Sequence, residues 1–168
     1  MKIFSYTVND SRTVKAALGR GMTDLTSEFP ELFAKADKIC LVTGSDAPPS
    51  LRARALALFP ENKGHHFYFW LPPSEKAKTL EQAGELADFL FKHGFSRNSL
   101  IIAAGGGAVT DLAGFAASIY MRGIAWVSAP TPFLAQLDAG LGGKPAANLG
   151  RAKNIAGTFH QPSLSVCD

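Results

Sequence analysis

Three consecutive glycines, Gly105-Gly106-Gly107, separate the apolar run Ile101-Ile-Ala-Ala104 from an apolar segment, Asp111-Leu-Ala-Gly-Phe115, with helical spacing. A strand that passes through a bare turn straight into a helix is the opening of a parallel α/β unit, and it constrains this chain more than any other stretch. Glycine lets an anion approach the main chain with no Cβ in the way, and a helix start presents unpaired N–H groups to it. The spacing is neither G-x-G-x-x-G nor G-x-x-x-x-G-K-[ST]. Two explanations therefore stand side by side: a nucleotide pyrophosphate lying over Gly105–Gly107, or glycines placed for close helix–strand packing.

The same alternation runs along the chain. Strands are expected at Lys2–Val8, Lys38–Thr43, His66–Leu71, Leu100–Ala104, Ile124–Ser128 and Leu164–Cys167. Helices are expected at Thr13–Leu18, Asp24–Phe33, Pro49–Phe59, Asp111–Tyr120 and Thr131–Asp138. One more, capped by Ser74, places Ala77, Leu80, Ala83, Leu86, Leu90 and Phe91 on one face and stops at His93-Gly94. This order predicts one α/β domain over residues 1–168, a Rossmann-like, mainly parallel sheet with helices on both faces. Ligands of such sheets bind beyond the C-terminal strand ends, so the glycine turn, Thr43–Asp46 and Ala129–Thr131 are expected to line one cleft.

Composition sets limits on function. The 168 residues are 46% hydrophobic and 18% charged, with a formal net charge of +3, which describes a globular chain that tolerates anionic small ligands. No Lys/Arg stripe marks a nucleic-acid surface. The N-terminus has no signal-peptide pattern, and no apolar run approaches the ~20 residues that cross a bilayer. Cys40 and Cys167 fall in strands and read as buried, reduced thiols. These features predict a cytoplasmic protein without membrane or nucleic-acid partners.

A second polar set follows the glycine turn: Arg122, Asp138, Lys144, Lys153 and Asn154. Gly140 and Gly142-Gly143 predict a mobile or tightly turned loop that brings Asp138 and Lys144 together, an aspartate for a hydroxyl and a lysine for phosphate or carboxylate. A solvated loop with ordinary surface lysines explains the same pattern equally well. Glu75 and Lys78, three apart at a helix start, share a face, and a surface ion pair is the plainer explanation. The histidines have no zinc-ligand spacing, and no nucleophile motif is present.

Longer runs of sequence carry a resemblance. Gly105-Gly-Gly-Ala-Val-Thr-Asp-Leu-Ala-Gly-Phe through Tyr120-Met-Arg-Gly-Ile, then Leu134-Ala-Gln-Leu-Asp-Ala-Gly-Leu-Gly-Gly-Lys144 and Lys153-Asn-Ile-Ala-Gly-Thr-Phe-His-Gln-Pro, closely resemble the 3-dehydroquinate synthase family. Pro72-Pro-Ser-Glu75-Lys-Ala-Lys78 resembles that family's Glu-x-x-Lys segment. The resemblance implies the N-terminal, NAD-binding domain of the dehydroquinate synthase-like fold. It implies Gly106, Gly107 and Asp111 at the NAD pyrophosphate, and Glu75 and Lys78 as further nucleotide contacts. Thr131, Asp138 and Lys153 would surround the nicotinamide half, Lys144 and Asn154 would contact substrate, and Arg122 would serve the partner subunit of a homodimer. The implied reaction converts the seven-carbon sugar phosphate DAHP to 3-dehydroquinate and phosphate in the shikimate route to aromatic amino acids. NAD serves as a transient oxidant there, and a zinc or cobalt ion is held by a glutamate and two histidines of a helical C-terminal domain that this sequence lacks.

Some positions depart from the family pattern. Gly44 replaces an aspartate and Asp46 stands where asparagine is common, so Asp46 is expected to take over the adenosine ribose. Pro132, Pro145 and His160 also differ. A specialised sugar-phosphate cyclase, an NAD-dependent metal-type polyol (glycerol) dehydrogenase domain, or a non-catalytic nucleotide-binding paralogue are the alternatives.

Overall fold

A computed structural model describes residues 1–8, 12–20, 24–58, 66–73, 75–132, 136 and 142–168. Its strands are β1 (Lys2–Val8), β2 (Arg12–Leu18), β3 (Ile39–Gly44), β4 (His66–Leu71), β5 (Leu100–Gly105), β6 (Ala125–Pro130), β7 (Ala146–Leu149), β8 (Ala152–Gly157) and β9 (Leu164–Cys167). Its helices are α1 (Leu25–Glu28), α2 (Pro30–Ala34), α3 (Pro49–Leu58), α4 (Leu80–Lys92) and α5 (Gly107–Ile119). Seven strands join in the order β1-β2-β9-β6-β5-β3-β4, and β7 and β8 form a separate antiparallel hairpin. Every pairing in the large sheet is parallel except β1 with β2, so the mainly parallel α/β class stands.

The central strands are buried on both sides. Cys40, Val42, Ile101 and Ala103 face one apolar cluster with Ala83, Leu86 and Leu90 of α4 and Leu112, Ala113 and Ala116 of α5. Ile39, Leu41, Ile102 and Ala104 face a second cluster with Leu25, Phe33 and Ala55. The alternation within β3 and β5 is the period-2 geometry of strands, and it lets one sheet carry two layers of helices. The small residues of α5 serve its close seat on the sheet: a Cβ on Gly114 would lie 2.9 Å from the Trp126 ring. The strand ends finish level, Gly44 opposite Leu71 and Gly105 opposite Pro130, which sets out a common rim for a site.

Several expectations are corrected. Thr13–Leu18 is strand, not helix; Val14 and Ala16 are buried while Thr13 and Lys15 are exposed, a two-residue period too short to separate from a helical turn by spacing alone. The segment after Pro73 is a 3-10 turn at Glu75–Ala77, and α4 starts only at Leu80, where Thr79 accepts the Gln82 N–H. Ser74 lies outside the described residues. Leu80 and Phe91 are exposed, so the buried face of α4 is narrower than expected: Ala83, Leu86 and Leu90. Helix α5 begins at Gly107, one turn before Asp111. The β7–β8 hairpin follows the glycine-rich stretch where no element was expected, and most of the helix expected at Thr131–Asp138 lies outside the described residues. Cys40 is buried as expected, but Cys167 is only partly so.

Candidate nucleotide and substrate clefts

A cleft of about 290 Å³ opens on the level strand rim, lined by Gly44, Asp46, Leu71, Glu75, Gly106 and Gly107 among others. Two of the three glycines in the turn serve different ends. A Cβ on Gly105 would stand 2.8 Å from Val109 Cβ, so this residue is glycine because helix and strand meet there. On Gly106 the nearest neighbour of a Cβ would be Pro132 at 3.9 Å, which leaves the space toward the cleft open. The packing explanation therefore holds for Gly105, while Gly106 leaves open the space that the other explanation requires.

Gly106 caps α5 with extended backbone and gives it no side-chain acceptor. The first N–H groups of a helix have no intrahelical partner, and at the start of this 13-residue helix they combine with the positive dipole end. Thr110 Oγ1 turns back onto the Gly106 and Gly107 carbonyls at 3.3 and 3.2 Å, which fixes the turn from inside. Across the cleft, the Asp46 carboxylate occupies the space that a side chain at position 44 would need: a Cβ on Gly44 would lie 2.6 Å from Asp46 Oδ1. The loop is anchored by the Ser45 N–H on the Leu71 carbonyl at 2.7 Å. The expected single cleft is met for Gly44–Asp46 and the glycine turn. Thr131 donates its N–H to the Gly105 carbonyl at 2.9 Å but lines a small neighbouring cavity with Arg54, Ala129 and Asp168.

A second cleft, of about 550 Å³, is lined by Asp111, Lys144, Asn154, Ile155, Thr158 and Phe159 among others. Lys78 stands behind it. Its side chain is 4% exposed, its Nζ lies 2.5 Å from Asp111 Oδ2, and it also donates to Asn154 Oδ1. A buried ammonium is tolerated when a carboxylate and a further acceptor replace its water. The expected Glu75–Lys78 surface pair is thus not formed, because Lys78 turns inward from the 3-10 turn while Glu75 stays exposed and accepts from Asn148 Nδ2 at 3.1 Å. Asn154 takes a left-handed backbone, φ 57°, which asparagine adopts more readily than most residues.

Gly143, at φ 56°, lies against Gln161: a Cβ there would come within 2.2 Å of the Gln161 amide. That fixes the path leading to Lys144, whose side chain is exposed. Lys153 is exposed on β8 and is not among the residues lining either cleft. Arg122 lies at the other end of the 13-residue α5, about 20 Å from the glycine turn. Met121, Arg122 and Gly123 there have φ of 49°, 69° and 113°. Asp138 lies outside the described residues. Asn148, which contacts both Glu75 and Asn154, is not singled out by the sequence, because no element is expected over the hairpin that carries it.

Among the described residues no group of three or more His, Cys, Asp or Glu side chains is placed to hold a metal, and no helix is long and apolar enough to cross a membrane. Burial pushes the Cys40 thiol far up, which makes it a packing residue rather than a nucleophile.

Residues 68–168 match the family model described as 3-dehydroquinate synthase N-terminal. The chain is 43% identical over 132 residues to the 3-dehydroquinate synthase of Desulforamulus reducens, covering 78% of this chain and 36% of that protein. It is 38% identical over 163 residues to that of Leuconostoc mesenteroides subsp. mesenteroides, covering 97% and 44%. The chain thus spans about two-fifths of the length of these relatives. A crystal structure of 2-deoxy-scyllo-inosose synthase complexed with carbaglucose-6-phosphate, NAD+ and Co2+ superposes with a TM-score of 0.77 at 29% identity, over 94% of this chain and 43% of that one.

Proposed function

Since the chain belongs to the 3-dehydroquinate synthase family, as an N-terminal domain of it, we propose that these residues form the NAD-holding half of an enzyme that converts DAHP to 3-dehydroquinate and phosphate. The observation that carries this reading is the uncapped start of α5 at Gly106–Gly107, open to a cleft whose opposite wall is Asp46 and whose side is Glu75.

The residues present suit a dinucleotide. The Gly107 and Ala108 N–H groups take the pyrophosphate oxygens, where a negative charge gains from the helix start. Asp46 accepts from ribose hydroxyls in place of the side chain that Gly44 lacks. Glu75 offers a second acceptor, and the Lys78–Asp111 pair holds that wall rigid. Thr131, Lys153 and Asp138 are assigned to the nicotinamide half. When bound, NAD supplies a reversible hydride acceptor. Lys144 and the Asn154 amide hold the phosphate and hydroxyls of the sugar in the second cleft. Arg122, at the far end of α5, is assigned to the neighbouring subunit of a homodimer. A zinc or cobalt ion would be held by the length in which the relatives exceed this chain, and none of the roles above passes through it.

Calorimetry on the chain tests the reading: NAD+ and ADP-ribose both bind, and Gly107→Val weakens each by about tenfold or more through crowding at the pyrophosphate. Failure of both ligands to bind at millimolar concentration would remove nucleotide binding from the chain. In the full-length protein, Lys144→Ala is expected to lower turnover more than NAD+ affinity, and the reverse pattern reassigns Lys144 to the cofactor. Dehydroquinate formed without net NADH separates the synthase from a polyol dehydrogenase, in which NADH accumulates.

A further inference from the structure

Three hydrogen bonds close a ring behind the two clefts. The Asn148 N–H donates to the Lys78 carbonyl at 2.7 Å, the Asn154 N–H donates to Asn148 Oδ1 at 2.9 Å, and Lys78 Nζ donates to Asn154 Oδ1. Asn148 then reaches out of the ring, its Nδ2 donating to Glu75 Oε1 at 3.1 Å. Residue 148 also forms an isolated parallel bridge with Thr79, and the hairpin register shifts between Ala147 and Leu149, so this residue answers to the Glu75–Thr79 segment as much as to β8.

One planar amide therefore holds a residue lining the nucleotide cleft and a residue lining the second cleft. Its orientation is forced, because a carboxylate only accepts and a backbone N–H only donates. Turning the amide over breaks both bonds together. The Asn154 N–H lies on a left-handed residue whose side chain is held by Lys78, so the same amide also fixes how Asn154 faces the second cleft.

We infer that Asn148 is a positioning residue that couples the two clefts: a nucleotide that engages Glu75 fixes the Asn148 amide and, through it, the Asn154 turn of the hairpin. The inference rests on the nucleotide reading above and adds to it a route by which cofactor binding prepares the substrate side.

Hydrogen exchange of the Asn154 amide, followed with and without saturating NAD+, tests it, with calorimetry reporting NAD+ binding in the same samples. In the unaltered chain NAD+ slows exchange at Asn154 by about tenfold. In Asn148→Ala NAD+ still binds but exchange at Asn154 no longer responds. The exchanged pair Glu75→Gln with Asn148→Asp reverses donor and acceptor, keeps the acceptor for the Asn154 N–H, and restores the response. The isosteric Asn148→Asp alone sets two carboxylates together and abolishes it, which keeps the test available if the alanine variant does not fold. A response retained in Asn148→Ala, one missing from the unaltered chain while NAD+ binds, or one that the exchanged pair fails to restore although it binds NAD+ overturns the inference. Absence of NAD+ binding to the unaltered chain instead overturns the nucleotide reading, and the inference falls with it.

Discussion

The two clefts are built by opposite means. The cleft proposed for the nucleotide is made largely of main chain: a strand end, a turn, a helix start, and glycines that keep Cβ atoms out. Its glycine turn is local, Gly106 to Val109, and strand ends at Gly44 and Leu71 supply the other walls. The second cleft is made of side chains brought from afar, with Lys78 separated by 33 residues from Asp111 and by 76 from Asn154. A site made from backbone depends on local sequence and can tolerate change elsewhere. A site made from a buried charge and its partners depends on the whole fold being in register, so its failure should unfold the region rather than merely empty it.

Substitutions can break or sharpen that contrast. The largest effect is expected at Lys78→Met, which leaves Asp111 and Asn154 without their shared donor; about 3 kcal/mol of stability should be lost in urea unfolding. A loss below about 1 kcal/mol would mean that the second cleft is not held by this cluster. Next comes Gly105→Ala, whose Cβ collides with Val109 and should cost about 2 kcal/mol. Gly106→Ala has room and should change stability by less than about 0.5 kcal/mol. Equal losses at the two glycines would erase the division between packing and ligand approach.

Asn154→Gly is smaller again. Glycine takes φ 57° without strain, so the expected loss of about 1 kcal/mol reports the side-chain bond to Lys78 alone. The smallest effect lies away from both clefts, at Asp37. Burial raises its carboxyl, but the Ser96 and Ser99 hydroxyls and the backbone at Lys38 outweigh that and hold it below the usual carboxylate range. The stability it contributes is therefore complete above its unfolded value and disappears as pH falls through the lower folded one. Asp37→Asn should cost a few tenths of a kcal/mol near neutral pH and nothing once pH has fallen below the folded value, the effect being small because the group is largely exposed to screening solvent.

The same contrast decides what the sequence disclosed. The glycine turn, β3, β4, β5 and the two-sided cover of the sheet are written in adjacent residues, and all were legible. What a run of glycines does not state is which member meets a neighbour and which faces open space; Val109 and Pro132 settle that for Gly105 and Gly106. Strand β2 was misread because Arg12–Leu18 is too short for a two-residue period to outweigh its helix-forming lysine and alanines. The β7–β8 hairpin was missed because Gly140, Gly142 and Gly143 marked a loop just before it, while its own residues are small, polar and half-exposed. With the hairpin went Asn148, and with Asn148 the ring that turns Lys78 inward. Motif likeness had named Lys78, Asp111 and Asn154 as site residues one by one, yet nothing in their spacing announced that they touch.

The central claim is that the nucleotide lies over the start of α5. Amide chemical-shift mapping of the chain during an NAD+ titration tests it most directly. Saturable shifts are expected at Gly106, Gly107, Ala108, Asp46 and Glu75. A larger cavity, about 540 Å³, opens at the opposite end of the sheet and is lined by Thr13, Lys15, Glu31 and Arg97 among others. Shifts confined to that cavity, with the Gly106–Ala108 amides unmoved at saturation, would contradict the claim.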